Sequence, residues 1–262
     1  MTGSRIDRRA FIARLGGASA VAGMSATALA DELEDELLAA STPVEQEPEP
    51  PRRPRAEMRR GAGGIFDKRR NPELDPLPAK PTLIDFFKHR FGGFGLHGLR
   101  SAQHALESGQ DEIHVMAALL HDTVQSIVRA DHGYWGADFV APYVDERIAW
   151  GIRYHQALRF FPDESVGYEY PELYVRMFGE NFDPEPYVHT AYETARKHRW
   201  YMHARMITVN DTYGFDDNVN PSIEEFTDII GRNFREPKEG LGYDGSPSAH
   251  MWRTVINPDR PL

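Results

Sequence analysis

From Pro81 onward, apolar positions recur at intervals of three and four, and few runs alternate as strands do. This predicts an all-α fold without a sheet. Helices are expected over about 82–91, 97–108, 111–121, 135–141, 144–161, 171–178, 186–213 and 221–233. Asp111 and Glu112 place negative charge where the helix dipole favours it, and Asn220-Pro221 reads as an N-cap followed by proline at the first helical position. The stretch from Asn233 to Leu262 is broken by glycines and prolines, so a loop-rich C-terminal tail draped over the bundle is expected.

Polar residues interrupt this pattern at telling places. The apolar run Val115-Met-Ala-Ala-Leu-Leu120 ends in His121-Asp122. Two strong metal ligands at the end of a core helix cost desolvation energy unless a cation compensates them. His97, His132, His155 and Asp211 lie in other segments of helical spacing, and six such residues suggest two metal ions. On a helix, Ala204, Ile207 and Asp211 share a face, as do Ile148, Gly151 and His155. Gly151 would let a neighbouring helix approach beside the ligand, although a glycine inside a helix costs roughly 1 kcal/mol. Any one of these histidines alone reads as a satisfied core residue; together they are mutually explanatory at a metal.

Other residues compete for a role. His104 and His114 follow His97 and precede His121 by seven residues, which makes them half-buried or supporting groups. His203, two turns before Asp211, is placed to orient it. His89 and His250 read as loop or surface residues. Tyr168, Tyr170, Tyr174, Trp200 and Tyr201 suit core and lid packing better than a substrate cage.

The chain has 262 residues, no cysteine and a formal net charge of -10. Thiolate metal sites, disulfides and a cysteine nucleophile are excluded, so any metal must use imidazole and carboxylate. The acidic balance argues against nucleic acid as a partner. At the N-terminus, Arg8-Arg9-Ala-Phe11, an uncharged Ala/Gly-rich stretch and Ala28-Leu29-Ala30 resemble a twin-arginine signal peptide over residues 1–30, with cleavage before Asp31. The resemblance implies the twin-arginine translocase as a partner, a periplasmic or otherwise exported protein, and no stable membrane insertion once mature. Residues 31–80 turn from acidic to basic and are rich in proline, which predicts a disordered charged linker. The folded domain is then 81–262.

A histidine, an adjacent His-Asp pair and a distant aspartate, all on helices, resemble the HD-domain superfamily of metal-dependent phosphohydrolases and oxygenases. The resemblance covers roughly 86–215 and puts the four common ligands on His97, His121, Asp122 and Asp211. His132-Gly-Tyr-Trp-Gly136-Ala137 and Tyr154-His155-Gln-Ala-Leu-Arg159 are similar to segments of a narrower subgroup, the phosphonate-degrading oxygenases and, more distantly, myo-inositol oxygenase. That implies six ligands, His97, His121, Asp122, His132, His155 and Asp211, holding two mixed-valent iron ions bridged by Asp122, with manganese or other divalent metals as the alternative. It further implies an enzyme that uses O2 to oxidise or cleave a small polar, anionic substrate, with no catalytic residue beyond the ligands. The pair continues as Thr123-Val124-Gln125, where relatives carry a His or Lys that touches substrate, and Arg159 stands where they carry a Lys. Gln125 and Arg159 are therefore the expected substrate-binding residues, the guanidinium fork suiting an oxyanion. A metal-dependent phosphohydrolase is the runner-up, and a non-catalytic exported metal-binding protein the third reading.

Overall fold

The computed structural model describes residues 74–258, and the signal peptide and most of the linker expected from the sequence lie outside them. The described residues form an all-α bundle of ten α-helices and three short 3-10 turns. The helices are α1 (Leu83–His89), α2 (Gly92–Glu107), α3 (Glu112–Leu120), α4 (His132–Val140), α5 (Glu146–Leu158), α6 (Glu172–Phe178), α7 (Pro186–Ala195), α8 (Tyr201–Tyr213), α9 (Thr227–Asn233) and α10 (Ala249–Ile256). Among the described residues there is no strand, only an isolated bridge between Asp163 and Tyr168. No described helix is long and apolar enough to cross a membrane.

Helices α2, α3, α5 and α8 pack against one another at the centre, and α4 lies along α5. Small residues allow this. A Cβ on Gly98 of α2 would stand 2.4 Å from the Leu119 carbonyl oxygen of α3, and one on Gly151 of α5 would stand 2.6 Å from the His203 ring of α8. The close approach expected at Gly151 is thus made, and the neighbour is His203. Asp111 caps α3 as expected, its side chain accepting from the His114 amide at 2.9 Å.

Several boundaries differ from the sequence reading. Helix α2 starts at Gly92, five residues before the expected start, with Gly92 itself at φ 54. Helix α4 starts at His132 rather than Trp135, which brings a candidate ligand into its first turn. The single helix expected over 186–213 is two, separated at residues 196–200. Near the C-terminus, Ser222 rather than Asn220 provides the cap, through a capping box with Glu225 that opens a 3-10 turn.

Two stretches read from composition contribute to the core. At the end of the expected linker, Leu74 and Leu77 pack on the core, and Asp75 accepts a bond from Arg90 at 2.7 Å through its carbonyl. The tail contains α10, whose Trp252 is fully buried, stacked on Phe139 at 3.9 Å and edge-on to Phe86 at 4.7 Å. Burying a tryptophan is worth about 4–6 kcal/mol by area, enough to hold a short helix between glycines and prolines.

Candidate metal centre

The centre begins where α3 stops. His121 closes α3 and Asp122 opens the 3-10 turn Thr123–Ser126 with φ -109 and ψ 0, so the two side chains leave the backbone at a sharp change of direction. His97 comes from the middle of α2, His132 from the first turn of α4, His155 from the last turn of α5 and Asp211 from α8. All six are buried.

Their donor atoms fall into two groups that share Asp122: His97, His121, Asp122 and Asp211 in one, Asp122, His132 and His155 in the other. His97 Nε2 lies 2.7 Å from Asp211 Oδ1 and 3.6 Å from Asp122 Oδ2. His121 Nε2 lies 3.4 Å from Asp211 Oδ1 and 3.6 Å from Asp122 Oδ1. On the other side of the shared carboxylate, Asp122 Oδ1 is 3.3 Å from His132 Nε2 and 3.7 Å from His155 Nε2. Ligand atoms bound at about 2.1 Å to one ion stand about 3.0–3.4 Å apart, and the separations here, from 2.7 to 3.7 Å, lie around that range. His121 Nε2 and Asp122 Oδ1 are buried without any hydrogen-bond partner. Orphaned polar atoms converging from separate helices fit a cation.

Three imidazoles are fixed by the same local device. His121 Nδ1 donates to the Ala118 carbonyl at 2.7 Å, His132 Nδ1 to that of Arg129 at 3.1 Å, and His155 Nδ1 to that of Ile152 at 2.6 Å. A carbonyl only accepts, so Nδ1 carries a proton and Nε2 is the atom turned toward Asp122. Each bond runs three residues back along the chain, so the sequence itself supplies it.

Protonation without metal follows from burial and charge. Burial disfavours a charge on His121, but Asp122 and Asp211 together outweigh it and raise its pKa to about 9. Burial likewise opposes ionisation of Asp122 and Asp211, yet the surrounding histidines hold both well below the usual carboxylate range. His132, with Asp122 but not Asp211 beside it, is lowered to about 3, chiefly by burial with help from the His155 and Arg159 charges.

No protein-family model matches the chain, and a search of curated proteins finds no match.

The centre opens on a cavity of about 830 Å³, bordered by His97, Asp122 and Asp211. Gln125 and Arg159 both line it. Tyr174, read from the sequence as packing, also lines it and donates from its hydroxyl to Asp211 Oδ2 at 3.1 Å. Of the rest of that aromatic group, Tyr170 packs on Tyr174 at 6.0 Å, Tyr168 bonds the Arg159 carbonyl, Tyr201 bonds Asp163, and Trp200 packs against His198 and Trp150. Arg129, which the sequence reading passed over, lines the same cavity. Its signal was position alone, a cation between two candidate ligands.

The other histidines take different places. His203 is buried but makes no contact that would orient Asp211; neither ring nitrogen has a partner, and the ring faces His114 at 4.4 Å. His104 stacks on Tyr213 at 3.5 Å with Nδ1 2.9 Å from Asn210 Oδ1, the residue next to Asp211. His114 bonds Asp111 at 2.7 Å. His89 and His250 are exposed, as expected.

Proposed function

We propose that this chain is an exported diiron oxygenase of the HD superfamily that oxidises or cleaves a small polar, anionic substrate in the cavity beside Asp122. The observation that carries the reading is the second donor group: His132 and His155 turn to the same carboxylate that His97, His121 and Asp211 surround. A phosphohydrolase built on the four-ligand group leaves those two histidines without a task.

His97, His121 and Asp211 would hold one metal, His132 and His155 the other, and Asp122 both. Bound iron would supply dioxygen activation and the electron transfer that the protein's own side chains lack. The chain's residues do the rest. The backbone carbonyls of Ala118, Arg129 and Ile152 keep three imidazoles in the ligating tautomer. Tyr174 holds the free oxygen of Asp211, leaving the other to face His97. Arg159 neutralises the anionic end of the substrate, and Gln125 supplies a neutral hydrogen bond beside it. Phe215, against the His97 ring at 4.7 Å, gives the cavity an apolar wall near the metals.

The test is anaerobic purification, metal counting and electron paramagnetic resonance, followed by oxygen uptake with small hydroxylated carboxylates and phosphonates. Two irons per chain, a mixed-valent signal and substrate-dependent oxygen uptake are expected. Manganese-dependent hydrolysis of phosphate esters without oxygen uptake would replace the reading with the hydrolase. Export rests on Arg8 and Arg9; Arg8→Lys with Arg9→Lys should keep the precursor in the cytoplasm, and normal periplasmic recovery would refute that part.

A further inference from the structure

We propose that Arg129 is a second anchoring charge for the substrate, so that the cavity selects molecules with two negative charges over those with one. The proposal uses the substrate cavity of the function above but none of its redox chemistry. Five arginine and lysine side chains line the cavity: Lys88, Arg90, Arg100, Arg129 and Arg159. Three are committed to the protein. Lys88 lies 2.6 Å from Glu224, and Arg100 bonds Asp217 at 2.8 Å and the Val219 carbonyl at 2.7 Å. Arg90 donates to the carbonyls of Asp75, His89 and Ile256.

Arg129 and Arg159 are different. Among the described residues neither guanidinium has a carboxylate or a hydrogen-bond acceptor, and the Nε of each is buried without a partner. Each is instead steadied by an aromatic face, Arg129 over Phe94 at 5.5 Å, and Arg159 over Phe160 at 4.8 Å and Tyr174 at 5.3 Å. A ring orients a guanidinium and attracts it weakly, but does not satisfy its donors. Two partly desolvated forks on one cavity wall, both without acceptors, are matched by two anionic charges from a ligand.

The Arg129 carbonyl accepts from His132 Nδ1. One residue, Arg129, thus orients a metal ligand through its backbone and offers its side chain to the cavity.

Isothermal titration of the full chain, as purified, with succinate and with butyrate tests this, because the two differ by one carboxylate on the same carbon chain. The wild type should bind succinate at least about tenfold more tightly, the size of one charge-assisted hydrogen bond. Arg129→Met should bring succinate down to the level of butyrate while leaving butyrate binding, metal content and melting temperature unchanged. Arg129→Lys, which keeps the charge and loses the fork, should retain part of the preference. An unchanged succinate-to-butyrate ratio in Arg129→Met, or no preference in the wild type, overturns the proposal. Either result leaves the oxygenase untouched, just as absent oxygen uptake would leave the ratio intact.

Discussion

Two histidine environments sit on the same helices and differ in kind. At the end of α3, His121 meets Asp122 and Asp211; seven residues earlier His114 faces His203, eight residues before Asp211 on α8. His121 is 0 % exposed and His203 2 %, so burial does not distinguish them. What differs is the bonding. His121 has one nitrogen pinned to a carbonyl and the other turned to carboxylates, which raise its pKa to about 9. His203 has neither nitrogen bonded, and burial, with the nearby His114 and Arg147 charges, lowers it to about 3. A buried imidazole on an apolar helix face is a candidate metal donor here only where an anion stands beside it.

The largest break in that comparison is Asp122→Ala. It removes the one group common to both sets, so metal content by mass spectrometry should fall more than about a hundredfold, beyond the effect of losing a supporting residue. In the unaltered protein, metal must displace the His121 proton, so apparent affinity should climb as pH rises to about 9 and then level off. A flat profile between pH 6 and 9 would contradict this.

Next come His132→Ala and His155→Ala, which should each lower the metal count from two to one per chain and erase a mixed-valent signal. His114→Ala should do neither. Equal losses from all three variants would erase the distinction between the two environments.

His203→Leu sharpens the contrast from the other side. The folded protein keeps His203 neutral down to about pH 3, whereas the unfolded chain binds its proton near 6.5. The unfolded state therefore holds more protons between those values. Stability from this group is complete above about 6.5 and is lost as pH falls, at up to about 1.4 kcal/mol per pH unit. In urea titrations His203→Leu should lack that share of the acid sensitivity while keeping its metal; identical pH slopes would show that His203 is not buried neutral. The smallest effect is expected from Tyr174→Phe, which removes only the bond to Asp211 Oδ2 and should weaken metal binding by about tenfold.

How much of this was legible differs from residue to residue. All six candidate ligands were, because a polar residue breaking an apolar helical face is visible in one dimension; for His121, His132 and His155 the carbonyl that orients the ring also lies three residues away. Gln125 and Arg159 were reached through resemblance, and both line the cavity. His203 was misjudged as a support for Asp211: helical spacing puts it on a suitable face, but its ring turns to Gly151 and His114. Arg129 was passed over because its meaning depends on what it lacks, a carboxylate partner, and that is a property of its neighbours in space.

The sequence by itself determined the helical class, the absence of thiolate chemistry and the candidate donors, since periodicity and residue chemistry are local. Only the tertiary structure decided the distances at which two donor groups meet Asp122, that Tyr174 reaches Asp211 and that α10 belongs to the core. Those facts depend on how closely helices pack, which is set by long-range contacts such as Gly98 against Leu119 and Trp252 against Phe139. Spacing along a chain fixes the face a side chain presents, and packing alone fixes what that face meets.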